Sequence, residues 1–224
     1  MVADDVRRER VGGEVVDAAR GRTGGLSLLG ASRGSEVPEE REPGPLADIR
    51  DYETADEPSW LRCRVLGLLG TSHHDVWQVR HRTDLELVAA GDNVVIGLLD
   101  VSVPGAEAVI DAVAVHPDHQ RRGLASALLE QALRRLERCG VRTLEAWVQD
   151  DPALAWFERL GFVETERHLR VHASAAEVGT VLSAKHGLEP VGAVLDVRIE
   201  RETEMRQRFE RVHVRRRVIR RIRP

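Results

Sequence analysis

Between Gly123 and Arg138 apolar residues fall at Leu124, Leu128, Leu129, Ala132, Leu133 and Leu136. This is the spacing of one face of an α-helix, with arginine and glutamate on the other face. Gly140 follows where a helix C-cap needs left-handed backbone. Shorter and denser apolar runs predict strands. Leu85–Ala90 and Val94–Leu99 are joined by Gly91-Asp92-Asn93, a hairpin signature. A strand over Ala108–His116 follows the turn at Pro104-Gly105, and Thr143–Val148 and Phe162-Val163 supply later strands. Ahead of the hairpin, Ala47–Tyr52 reads as a short strand. Asp56 is placed to cap a helix with Pro58 in its first turn and Trp60, Leu61, Val65 and Leu66 on one face. Val76–Val79 is a short apolar run behind the polar stretch Gly70–Asp75. Asp151-Pro152 opens another helix, which Gly161 ends. Strands, then strand–helix–strand, then helix–strand predict an α/β (α+β) fold with a mixed, mostly antiparallel sheet and helices on both faces.

Residues 1–45 break this pattern. Glycine and proline recur among mixed charges, and the apolar residues hold no period. They read as a disordered arm with a short helix near residues 5–20, ahead of one domain over 46–224. The 224 residues suffice for a self-sufficient core. No apolar run approaches the roughly 20 residues that cross a bilayer. Acids stand near the start where a signal peptide would be basic, so a cytoplasmic setting is expected, with no membrane partner. Cys63 and Cys139 then read as reduced thiols.

The net charge of −4 conceals an asymmetry. Residues 205–224 carry nine arginines against one acid, hence +8, and the remainder carries −12. An acidic body argues against nucleic acid as a partner of the main domain. The tail Val212–Ile222 mixes β-branched residues with arginine. It reads as a terminal strand with a solvated basic face, the other reading being a nucleic-acid arm. Residues 174–211 read as a helix, a strand and a second helix. They are candidates to wall a ligand site or to make a homodimer contact. Adjacent His73 and His74 have no partner at metal-ligand spacing, so no metal is expected. Trp60, Trp77, Trp147 and Trp156 read as core or groove wall.

The segment that carries chemistry is Val113 to Ala125. A buried strand enters a short loop, Gln120-Arg121-Arg122-Gly123-Leu124-Ala125, which opens the amphipathic helix. Gly123 lets a ligand approach the backbone. Free N–H groups of the first helical turn point outward at the positive end of the dipole, which suits a pyrophosphate. About thirty residues on comes Asp151-Pro152-Ala153-Leu154-Ala155-Trp156-Phe157-Glu158-Arg159-Leu160-Gly161-Phe162.

Together these segments resemble the GNAT superfamily of acetyl-CoA-dependent N-acetyltransferases. That family's pyrophosphate loop reads Gln/Arg-x-x-Gly-x-Gly/Ala, matched by Gln120–Ala125. Its later helix commonly reads Asn-x-x-Ala-x-x-Phe-Tyr-x-x-x-Gly-Phe, matched here with changes. The resemblance covers residues 47–172 and leaves 173–224 as an extension. It implies a sheet whose strands 108–116 and 142–149 splay apart around acetyl-CoA. Backbone groups of Val113, Ala114 and Val115 would hold the pantetheine arm, those near Val115 polarising the thioester carbonyl. The amides of Arg121, Arg122, Gly123, Leu124 and Ala125 would cradle the pyrophosphate, with Gln120 closing the loop and Ser126 and Phe157 among the cofactor contacts. The reaction implied is direct attack of an amine, from a small molecule or a peptide, on the thioester.

Two departures bear on that chemistry. Asp150 or Asp151 replaces the family's Asn. Phe157 replaces the Tyr that often serves as general acid, and the lone Tyr52 lies on the first strand. The acid role is thus vacant, filled by water or taken by another group. Asp111 is the leading candidate for the base, with side-chain parity shared with Val113 and Val115. It could equally recognise a cationic acceptor or pair with an arginine. Glu145 is the second candidate, or an exposed strand residue. His116 either relays a proton or caps the turn at Pro117. The rival readings are a degenerate member that binds acyl-CoA without turnover, and a nucleic-acid-associated protein that uses its basic C-terminus.

Overall fold

The structure, a computed structural model, describes the backbone of residues 14–15 and the whole of 47–69, 83–181 and 190–222. Its strands are β1 (Glu14–Val15), β2 (Asp48–Asp51), β3 (Leu85–Gly91), β4 (Val94–Ser102), β5 (Glu107–Val115), β6 (Thr143–Val148), β7 (Val163–Ala173), β8 (Ala193–Val197) and β9 (Arg211–Arg221). The α-helices are α1 (Glu57–Leu68), α2 (Leu124–Arg138), α3 (Asp151–Arg159), α4 (Ala175–Val178) and α5 (Glu202–Arg208). The strands form one sheet in the order β2-β3-β4-β5-β1-β6-β9-β7-β8. Its pairings are antiparallel except around the wedge between β5 and β6, where β1, β5 and β6 run parallel. The expected mixed, mostly antiparallel sheet with helices on both faces is the fold observed.

Local chemistry explains most boundaries. The β3–β4 hairpin turns through Asp92 and Asn93, both at positive φ (51° and 62°), the backbone of a type I′ turn. α2 buries Ala125, Leu128, Leu129, Ala132 and Leu136 along one stripe and stops before Gly140, at φ 74°. On that face of the sheet lies the main core, which includes Leu87, Leu99, Ile110, Val113, Leu144, Phe157 and Val218. α1 covers the opposite face of β4 and β5 through Trp60 and Cys63, packed with Leu98, Ala112 and Ala114. A third cluster joins α4 and α5 to β7 and β9 through Leu169, Val171, Met205, Phe209 and Val212.

Four expectations change. Asp56 does not cap α1 with its side chain. Its buried carboxylate accepts bonds from the Glu53 amide (2.8 Å) and from Arg50 (2.7 and 2.8 Å), closing the 3-10 turn ahead of the helix. Residues 14–15, inside the stretch where a helix was expected, form a strand. The tail is the expected strand, β9, and it lies inside the sheet between β6 and β7. Its basic face is not all solvated, because Arg215 is only 4% exposed and sits over the Trp147 ring at 4.5 Å. The fourth, the side on which Asp111 stands, belongs with the site below. The readings at His73, His74 and Val76–Val79, Trp77 included, lie outside the described residues, as does the rest of the N-terminal arm.

Candidate active site

The loop between β5 and α2 is shaped by two left-handed residues, Arg121 (φ 62°) and Gly123 (φ 80°). The Gln120 side chain donates back to the Val115 carbonyl at 3.1 Å, and an Arg122 guanidinium N–H donates to the Asp118 carbonyl at 3.0 Å. Gly123 is the N-cap and offers no side chain to the first-turn amides of α2. A Cβ built on Gly123 meets nothing within 4 Å, so the helix start opens onto empty space. That space is a cavity of about 440 Å³. Val115, Arg121 and Gly123–Ser126 form one wall, and Pro152, Ala155, Trp156 and Arg159 of α3 form the other. The Trp156 indole donates to the Ser126 hydroxyl at 3.1 Å and ties the two helices together. The donors here are amides and guanidinium groups, which suit an anionic phosphate ester.

Of the α3 wall only Trp156 was singled out from sequence, as core or groove wall; Pro152, Ala155 and Arg159 were not. Residues 152, 155, 156 and 159 share one helical face, and that spacing is the signal that would have found them. Phe157 lies on the other side of α3. It is fully buried, edge-on to Trp156 (4.7 Å) and Phe162 (4.8 Å), and does not line the cavity. His116 caps the turn by accepting from the Asp118 amide at 3.3 Å. The side chains of Val113, Ala114 and Val115 are buried, which leaves their backbone as the part available to a ligand.

β5 and β6 pair in parallel only at Glu107–Val109 with Thr143–Glu145, then diverge. On the other side of β5 the register slips: Val101 faces Ile110, but Asp100 faces Ala112. Asp111 is the extra residue of a β-bulge, and the bulge reverses the alternation. Ile110 and Val113 both point into the α2-side core, while Ala112 and Ala114 point under α1. Asp111 therefore does not share the side of Val113 and Val115. It stands on the α1 face, where it interacts electrostatically with Arg64 and Asp84. Its carboxylate accepts from the Ser102 hydroxyl at 2.5 Å. Burial pushes its pKa above the ordinary carboxylate value; the Ser102 bonds oppose this, Asp84 adds to it and Arg64 opposes it.

Glu145 faces the same side, paired across β6 and β9 with Ile219. Its carboxylate is held by the Arg217 guanidinium, whose Nε lies at 2.9 Å. Asp150, at the mouth of the wedge, caps α3 by position but makes no side-chain capping bond, and its buried Oδ2 has no partner. Burial, and then the neighbouring Asp151, raise its pKa. Among the described residues no group of His, Cys, Asp and Glu is arranged to hold a metal. No described helix is long and apolar enough to cross a membrane.

The acetyltransferase (GNAT) family model matches residues 46–162, just over half of the chain. Over 60 residues the chain is 47% identical to the [ribosomal protein bS18]-alanine N-acetyltransferase of Escherichia coli (strain K12), a stretch covering 26% of this chain and 40% of that protein. It is 28% identical over 184 residues to the mycothiol acetyltransferase of Brachybacterium faecium, covering 71% of this chain and 55% of that one. The chain thus spans about half or less of these relatives' length. The crystal structure of the ribosomal-protein-S18-alanine N-acetyltransferase from Escherichia coli aligns with a TM-score of 0.53 at 21% identity, over 79% of this chain and 94% of that one. A probable acetyltransferase from Staphylococcus epidermidis gives 0.52 at 12% identity, over 79% and 99%. At these identities the structural likeness shows the fold.

Proposed function

The chain belongs to the GNAT acetyltransferase family, and from that premise we propose that it is an N-acetyltransferase that uses acetyl-CoA to acetylate an amine in a ternary complex. The observation that carries this reading is the cavity at the start of α2, walled by Arg121 and Gly123–Ser126 with Gly123 in left-handed backbone. Bound there, acetyl-CoA supplies an acetyl thioester that an amine attacks directly. The amides of Arg121–Ala125 hold its pyrophosphate, and the wedge between β5 and β6 receives its pantetheine arm along the backbone of Val113–Val115.

Asp111 is the group this chain offers to the acceptor's proton. The bulge turns it to the α1 face, away from the cofactor cavity, and as the base it serves an amine that reaches the thioester from that face. Ionised, it accepts a proton from the amine directly or through a water. Glu145 is less suited to that task, because Arg217 already neutralises it. With Phe157 inside the core, no phenol stands ready to protonate the departing thiolate. A coenzyme thiol leaves readily enough that the reaction proceeds without one, only more slowly.

The acceptor is an amine of a small molecule or of a peptide or protein. The alanine acceptor in the name of the Escherichia coli relative favours a protein amine. The buried Phe157 keeps a second reading in play, in which the chain binds acyl-CoA without turnover.

Thiol release from acetyl-CoA across a panel of amines and peptides separates the two. Release above background with any acceptor supports the transferase, and binding without release supports the second reading. Gly123→Glu places a carboxylate against the pyrophosphate site while its Cβ enters open space. It is expected to abolish CoA binding in calorimetry and to cost about 1 kcal/mol of stability from the left-handed backbone. Unchanged CoA affinity in that variant would refute the cofactor assignment.

A further inference from the structure

The wedge between β5 and β6 is filled by the chain itself. Glu14 pairs in parallel with Ala112 on one side and Trp147 on the other, and Val15 pairs with Val113. This two-residue strand is the only link between β5 and β6 past Val109 among the described residues. A wedge between two diverging strands exposes N–H and C=O groups on both inner edges, and these need partners. An extended peptide supplies them by strand addition.

We infer that the wedge is a peptide-binding slot whose resident ligand is this chain's own segment at residues 14–15, and that this segment and the pantetheine arm of acetyl-CoA exclude one another. The inference rests on the cofactor placement proposed above. Each inward amide of this stretch of β5 donates to one partner at a time, and the space beside it holds one extended chain. The pantetheine arm, with two amides of its own, competes with the peptide for the same groups. Because the segment is tethered, it competes at a fixed effective concentration that dilution does not lower. The cofactor's apparent affinity is reduced by the fraction of molecules whose slot is open.

The test uses the full chain. The double substitution Glu14→Pro/Val15→Pro removes both N–H groups, and proline is not tolerated in an interior strand. Calorimetric titration with acetyl-CoA should give a dissociation constant lower by about tenfold, the factor expected when roughly one free molecule in ten is open. Hydrogen exchange on the unsubstituted protein gives an independent reading. Saturating acetyl-CoA should deprotect the amides of residues 14 and 15 while those of Val113–Val115 stay protected. Equal affinity in the two proteins, or residues 14–15 equally protected with and without acetyl-CoA, overturns the inference alone. No binding of acetyl-CoA by either protein overturns the cofactor placement and the inference together.

Discussion

A carboxylate that burial holds toward its protonated form, yet that must be ionised to take an amine's proton, sets activity and stability in opposition along the pH axis. Asp111 is such a group, burial holding its folded pKa above the ordinary carboxylate value. The stability tied to its protonated form is complete below that value and is lost as pH rises through the folded pKa. Above the folded pKa the protein carries the full cost. Asp111→Asn keeps a partner for Ser102 and removes that cost. The variant should lower kcat/KM by more than about tenfold, leave acetyl-CoA affinity near its starting value and raise Tm at pH 7 but not at pH 3. Calorimetric melts at the two pH values and initial rates check this, and a fully active variant excludes Asp111 as the base. Phe157→Tyr tests the opposite intuition, that restoring a phenol restores an acid. The ring is fully buried among Trp156 and Phe162, so a hydroxyl there lacks a partner and costs roughly 1–3 kcal/mol. Tm should fall by roughly 2–10 °C with no gain in kcat. Gly123 was legible from the sequence because its role is local. The side on which Asp111 stands was not, because a bulge is a property of two strands in register and alternation along one strand cannot disclose it.

At the scale of elements, β9 decides whether the C-terminal half of the sheet exists. It pairs with β6 from Thr143 to Val148 and with β7 from Val163 to His172. Removing residues 211–221 leaves two long strand edges facing each other across an empty row. The truncated protein is expected to be insoluble or to melt without a cooperative transition. A soluble, cooperatively folding, active truncation would show the tail to be an appendage. The strand character of the tail was legible from its β-branched residues. Its interior position was not, since strand order is set by pairings remote in sequence. The same holds for Glu145, whose partner Arg217 comes from β9. The hairpin at Asp92-Asn93 and the α2 stripe were fully legible because turn chemistry and helical period act within a few residues.

Across the whole molecule, the two layers packed on the sheet leave its thiols in contrasting settings. Cys63 is fully buried between α1 and the sheet, and burial pushes its pKa up to about 12, with a bond involving the His116 backbone opposing the shift. At pH 8 about one Cys63 in ten thousand is thiolate. Cys139, at the end of α2, is exposed. A native protein treated with an aromatic disulfide reagent at pH 8 should lose one thiol quickly and the second only on denaturation. Two equally fast thiols would mean that the α1 layer opens readily. The sheet order also bears on how the molecule is made. Synthesis runs from the N-terminus, yet β9, the strand between β6 and β7, emerges after every other strand described. Until it arrives, β7 and β8 form a hairpin with no place to dock, and the finished half-sheet of β2–β6 waits with an open border. Completion of the sheet is therefore deferred until β9 is made, and a chain whose synthesis stops short of β9 carries two adhesive borders in place of an interior seam.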